Sequence, residues 1–230
     1  KQRKARKFLR DGNALYKQQK FTDASVAYQK ALGNNTKYDK ATYNLGNSLY
    51  QNKNYKEAIP QYELTAKTAK DKFTKAEAYH NIGNAMLESK QYQQAVDAYK
   101  NALKLNPDHA GAAGNLGGLL LEFNILEEAR LYLYRAHKAN PKNPAHLINL
   151  GHAWKDEESK EGKDKAISFY QKALKIQPNH LESLVNLAGL LNSKGAHKES
   201  ISAYIRALEV DDNQPGLAAC AVAAGVGEGV

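Results

Sequence analysis

The sequence has only one Cys, one Met and one Trp in 230 residues. A single thiol, Cys220, excludes any disulfide within the chain. Its expected place is that of a small buried hydrophobe. Cytoplasmic and cell-envelope (periplasmic) locations both fit. No apolar run is long enough to span a membrane. There is no phosphate loop and no strand-linked Gly-x-Gly-x-x-Gly, and the terminal GVGEGV lacks the helix that a phosphate loop needs after it. The histidines at 80, 109, 137, 146, 152, 180 and 197 form no i,i+4 pair and have no cysteine cluster beside them. Acidic residues are scattered, with no recognisable general acid/base pair. The expectation is therefore no metal, no cofactor and no enzyme.

What is present is a folded-core composition, 42% hydrophobic with 14 Tyr. Net charge is +9, and most of it sits on Lys1, Arg3, Lys4, Arg6, Lys7 and Arg10. This is a local basic end, with residues 1–4 as an extension ahead of the repeats. It reads as a solvated helix start, or as contact with an anionic partner or membrane surface. A start without Met suggests a piece of something longer, with room for an upstream anchor. Nucleic acid is not an expected partner, because little net charge lies beyond residue 10.

The chain repeats itself. NLGNSLYQNKNYKEAIPQY at 44–62 returns as NIGNAMLESKQYQQAVDAY at 81–99. Gly12, Gly46, Gly83, Gly117 and Gly151 align, with Ala188 in sixth place, at intervals of 34, 37, 34, 34 and 37 residues. Ala24, Ala58, Ala95, Ala129, Ala166 and Ser200 keep step. So do Tyr28, Tyr62, Tyr99, Leu133, Tyr170 and Tyr204, followed by Ala31, Thr65, Ala102, Ala136, Ala173 and Ala207. Small residues let two antiparallel helices approach closely, and the Tyr and Leu side chains fill the seam at helical spacing. Pro107, Pro141 and Pro178 mark the ends of second helices. A lone hairpin cannot bury its apolar face, so neighbours stack into one continuous core.

This pattern resembles the tetratricopeptide repeat family over residues 5–214, in six units: 5–38, 39–75, 76–109, 110–143, 144–180 and 181–214. The resemblance implies an all-α, right-handed α-solenoid, a superhelix of six helix-turn-helix hairpins. Residues 215–230 would be a partial seventh helix or a tail. Units two and five carry three extra residues, near Lys70–Lys75 and in the hairpin turn DEESKEGKD at 156–164, the latter expected to be charged and exposed. Pro60 is expected to kink its helix. The glycines at 111, 114, 117 and 118 are expected to make unit four the softest hairpin. The first three units also resemble repeat proteins of bacterial aerotolerance (Bat) operons.

In this family the first helices line a concave groove that binds an extended peptide or a partner's helix. The resemblance therefore implies a non-catalytic protein-interaction scaffold. A substrate-recognition arm cut from a larger enzyme, such as a glycosyltransferase, and a nucleic-acid-binding array are the alternatives. Self-association through exposed ends is open to any solenoid. Asn44, Asn81, Asn115, Asn149 and Asn186 recur two residues before the aligned position, and Asn13, Asn47 and Asn84 one residue after it. An Asn amide can pair with both groups of a peptide backbone, and the series resembles the asparagine ladder of O-GlcNAc-transferase-type arrays. Such Asn could equally bond neighbouring helices. Leu9, Glu77 and Asn81 stand where a carboxylate clamp would need basic residues. The remaining groove candidates are Lys17, Lys40, Tyr16, Tyr43, Tyr50 and His80. Arg6, Lys17 and Lys40 early in the array, against Glu88, Glu122, Asp156 and Glu182 later, suggest that the acidic part of a bound segment lies near units one and two.

Overall fold

The structure, a computed structural model, describes residues 1–36, 38–211 and 215–226. Among these residues there are thirteen α-helices and no strand. They are α1 (Gln2–Lys17), α2 (Phe21–Asn34), α3 (Asp39–Gln51), α4 (Tyr55–Thr68), α5 (Lys72–Glu88), α6 (Tyr92–Leu105), α7 (Ala110–Glu122), α8 (Leu126–Ala139), α9 (Pro144–Lys155), α10 (Lys160–Ile176), α11 (Leu181–Ser193), α12 (His197–Val210) and α13 (Pro215–Val226). None is long and apolar enough to cross a membrane. The residues group into two compact units, Lys1–Leu116 and Gly117–Val230, with the boundary inside α7.

In the first unit α1 packs on α2, α3 on α4 and α5 on α6, and each hairpin also packs on the next. The aligned glycines mark the closest approach. A Cβ on Gly12, Gly46 or Gly83 would lie 2.6, 2.8 or 2.5 Å from the Tyr28, Tyr62 or Tyr99 ring. Those three rings are fully buried, so the space is taken. Each turn between paired helices closes the same way. Lys20, Asn54 and Gln91 donate backbone N–H bonds back to Leu15, Leu49 and Met86. The residue before each of them, Gln19, Lys53 or Lys90, is left-handed with φ near +60°, as a Schellman turn requires. α4 runs through Pro60 in its second turn and ends at Thr68. The extra residues of hairpin two extend α5 at its start, so that it has 17 residues against 13 in α3.

In the second unit α9 packs on α10, α11 on α12, and α12 on α13. Gly117 meets Leu133, and Gly151 meets Tyr170, at 2.7 and 2.6 Å from a built Cβ. The helices α8 and α10 stop two residues before Pro141 and Pro178, as α6 stops two before Pro107. α13 continues the array as a helix, with Leu217 and Ala224 in the core beside Tyr204 and Ala207.

One expectation fails in this unit, and a second holds only in part. Cys220 is exposed rather than buried: it flanks the face that α13 turns to α12, where its thiol reaches Tyr204, but that edge is not covered. The segment 156–164 is not simply an exposed loop: Gly162 is buried and Glu157 half-buried. The extra residues lengthen α10, whose start is capped by Ser159 Oγ accepting from Gly162 N–H at 3.0 Å. Glu157 turns inward to a buried arginine, Arg130. The Arg130 guanidinium donates to Ala153 O from Nε at 3.0 Å and from Nη2 at 2.8 Å. It also meets Glu127 and Glu157, each at 2.8 Å, and lies 3.6 Å over the Trp154 ring.

Candidate peptide-binding face

Six of the recurring asparagines are built in pairs into the seam between hairpins. Tyr28 Oη donates to Asn13 Oδ1 at 2.9 Å, and Asn44 Nδ2 from the next hairpin donates to the same oxygen at 2.9 Å. Tyr62 Oη and Asn81 Nδ2 meet on Asn47 Oδ1 at 2.9 and 3.3 Å, with Asn81 also donating to Tyr43 Oη at 2.9 Å. Tyr99 Oη and Asn115 Nδ2 meet on Asn84 Oδ1 at 2.9 and 2.8 Å. One carbonyl oxygen thus ties the Tyr of its own hairpin to the Asn of the following one. A buried phenol needs such an acceptor. Burial pushes the Tyr28 phenol up to about 12.

The rest of the series follows the same logic. Leu133 has no hydroxyl, and Gly118 stands where an acceptor Asn would be. Tyr170 keeps its hydroxyl but faces His152, with ring centroids 5.7 Å apart. Its oxygen has no bonded partner among the described residues. Asn186 Nδ2 reaches His152 Nε2 only at 3.5 Å, and Asn149 Nδ2 lies 3.6 Å from where a Cβ on Gly118 would be. A paired substitution follows from this difference. Tyr99→Phe removes a satisfied bond and is expected to cost about 1 kcal/mol. Tyr170→Phe removes a hydroxyl that bonds to nothing and is expected to be neutral or stabilising. Urea midpoints of the two variants measure this, and equal losses would contradict the assignment.

The first helices of the first three hairpins share one face. α1, α3 and α5 together line a hollow of about 470 Å³, to which Asn13, Lys40, Tyr43 and Asn44 contribute. A smaller hollow of about 240 Å³ adjoins it, lined by Asn13, Tyr16, Lys17, Tyr28, Asn44 and Asn47. Seven predicted groove residues, Asn13, Tyr16, Lys17, Lys40, Tyr43, Asn44 and Asn47, are therefore brought to these two places. Asn13 Nδ2 and Asn44 Oδ1 carry no hydrogen bond among the described residues. Lys17 and Lys40 are exposed, and no acidic side chain pairs with either among the described residues. Tyr50 packs edge-on against Tyr55, with centroids 5.2 Å apart. Asn149 and Asn186 belong to the second unit.

A grouping not anticipated from spacing joins Glu77, His80 and His109, whose ligand-type atoms lie within 4.8 Å of one another. Glu77 and His80 are i,i+3 on α5, and His109 comes from the start of the next hairpin. Two of the group's buried nitrogens, His80 Nδ1 and His109 Nε2, have no hydrogen-bond partner among the described residues. His109 Nδ1 accepts from Ala112 N–H at 3.2 Å, which leaves Nε2 on the side of Glu77 Oε1, 3.2 Å away. The contact with His109 holds the Glu77 carboxyl below the usual range. His80 Nε2 faces Asn115 Nδ2 at 3.3 Å. Burial, and then His109, push His80 down to about 4.

The class this defines is a stack of helical hairpins presenting its first helices as a shared face. Profiles described as tetratricopeptide repeat match residues 80–144, residues 38–108, and residues 158–180 with 181–214. The chain belongs to the tetratricopeptide repeat family. No curated protein matches it. Among solved structures it is similar to MamA from Desulfovibrio magneticus RS-1, at 24% identity over 77% of this chain and 97% of that one, with a TM-score of 0.66. YrrB, described as a TPR protein with an unusual peptide-binding site, is 24% identical over 77% of this chain and 88% of its own, with a TM-score of 0.60. PilF of Pseudomonas aeruginosa is 17% identical over 92% and 94%, with a TM-score of 0.75. These likenesses establish the helical-repeat fold. Arrays of this family are generally non-catalytic scaffolds for protein–protein interaction, and the fold supports that role here.

Proposed function

We propose that the chain is a non-catalytic scaffold that holds an extended peptide or a helix of a partner protein against α1, α3 and α5. The observation that carries this reading is the hollow lined by first helices of three successive hairpins, with amide, phenol and ammonium groups converging on it. The amide groups of Asn13 and Asn44 left over from the seam suit a peptide backbone. The unpaired Lys17 and Lys40 suit carboxylates on the bound segment.

The test is the double charge reversal Lys17→Glu, Lys40→Glu. Both side chains are exposed, so the fold should be unaffected. Affinity for a partner captured from the source cells is expected to fall by about tenfold or more at low salt, and its salt dependence to flatten. Unchanged affinity with an unchanged salt slope would place binding elsewhere.

A further inference from the structure

Almost all of the chain's net charge sits on its first hairpin. Residues 1–38 hold ten Lys and Arg against two carboxylates, Asp11 and Asp23, which makes +8 of the chain's +9. Six of the ten fall at positions 1–10, and all six are exposed. No acidic side chain pairs with any of them among the described residues. α1 turns a narrow side inward, carrying Ala5, Leu9 and Gly12. At 3.6 residues per turn, Arg3, Arg6, Lys7 and Arg10 lie within about 100° of one another on a different side. They extend about 10 Å along the axis. Asp11, also exposed, stands at the edge of this stripe, so four cations meet one carboxylate.

The stripe works against the helix that carries it. Arg3 with Arg6 and Lys7 with Arg10 are i,i+3 neighbours, and Arg3 with Lys7 and Arg6 with Arg10 are i,i+4 neighbours. Like charges at these spacings repel. Asp11 opposes them only through Lys7, in the weaker order with the cation first. The fold gains no contact in return. An anionic surface outside the chain is what would offset the repulsion.

The shape of the stripe narrows the kind of partner. None of its four residues lines either hollow of the peptide-binding face, so nothing there grips a single side chain. α1 has no exposed large hydrophobic residue. It therefore offers neither a wedge for lipid tails nor a ring on which bases stack. Beyond residue 38 the chain carries 23 Lys and Arg against 22 Asp and Glu, so no basic track leads a nucleic-acid backbone onward. A short stripe of long cationic side chains matches a plane of negative headgroups.

We propose that α1 docks the first hairpin onto a membrane surface rich in anionic lipid, through Arg3, Arg6, Lys7 and Arg10. The contact is electrostatic and involves no insertion. It is independent of the peptide-binding reading, whose lysines are Lys17 and Lys40.

The test is co-sedimentation of the whole chain with vesicles of phosphatidylcholine, alone or with one-third phosphatidylserine. One variant combines Arg3→Gln, Arg6→Gln, Lys7→Gln and Arg10→Gln; Gln is a good helix former. A control removes the same charge from exposed lysines of α4, α8 and α10, by Lys56→Gln, Lys67→Gln, Lys138→Gln and Lys175→Gln. Parent and control are expected to bind the mixed vesicles, to ignore phosphatidylcholine alone and to be released by high salt. At about fivefold per cation, the α1 variant should bind about a hundredfold more weakly or worse. Its unfolding midpoint should equal or exceed the parent's, because the repulsion is relieved. Absence of vesicle binding by the parent, equal binding to both vesicle types, or an α1 variant that binds like the parent or no worse than the control overturns the proposal. So does a single-stranded RNA that shifts the parent, but not the α1 variant, at lower protein concentration than the vesicles need; the partner is then nucleic acid.

Discussion

Arg130→Ala is expected to lower the unfolding free energy by about 2–3 kcal/mol, mainly the cost of leaving a buried carbonyl without its donor. The guanidinium is 7% exposed. Two of its bonds go to Ala153 O, one of the last four carbonyls of α9, which have no partner inside the helix. A third fixes Glu157, the residue whose Cβ packs 2.6 Å from where a Cβ on Gly162 would be. The guanidinium also covers the Trp154 ring, which Lys165 approaches to 4.2 Å. Truncation would leave Ala153 O and Glu157 without that partner and open a void over the indole. Arg130→Lys keeps the charge, but a single ammonium cannot fork to three acceptors, so it should recover only part of the loss. Denaturant titration measures both. A loss below about 1 kcal/mol for Arg130→Ala would mean that water replaces these bonds at little cost.

The second large effect is acid lability. His80 is held neutral by burial, with its pKa down at about 4 against 6.5 in the unfolded chain. Between these values the unfolded chain binds the proton and the folded chain does not, so stability falls as pH falls. The contribution is fully present above about pH 6.5 and is lost as pH drops toward about 4; its size is on the order of 3 kcal/mol. The groups facing His80 are Glu77, His109, Tyr99 and Asn115. Glu77, itself held below its usual range, adds loss in the same direction at lower pH. His80→Phe keeps a ring beside Tyr99 and His109 but cannot titrate. Its stability curve should be flatter across this window, and parallel curves for the two proteins would rule out His80 as the source.

Hairpin count and register were legible in the sequence because the close approach of Gly83 to Tyr99, and its equivalents, admits only the smallest residues, Gly or, at 188, Ala. The left-handed turn residues were not: Gln19, Lys53 and Lys90 carry no glycine to announce them. The two roles of the asparagines also stayed open, since spacing alone places an amide without saying what it bonds. A signal was present. Wherever Asn follows the aligned glycine, a Tyr stands sixteen residues after that glycine, and where the Tyr becomes Leu133 the Asn becomes Gly118. The Glu77–His80–His109 group was hidden for a different reason: it needs the start of one hairpin laid against the middle of another. Arg130 and Glu157 are a similar case, two charged residues that sequence reasoning assigns to solvent, drawn inward because a helix end needed a donor.

The central claim is that partners bind on the first helices of the first three hairpins. Photo-crosslinking tests it most directly, with benzoylphenylalanine placed in turn at Tyr16, at Phe73 in the lining of the larger hollow and at the exposed Leu64 on the second helix α4. Crosslinks from Tyr16 and Phe73 to one protein, mapping to one segment of it, with none from Leu64, are the expected result. Crosslinking from Leu64 with none from Tyr16 or Phe73 would contradict it.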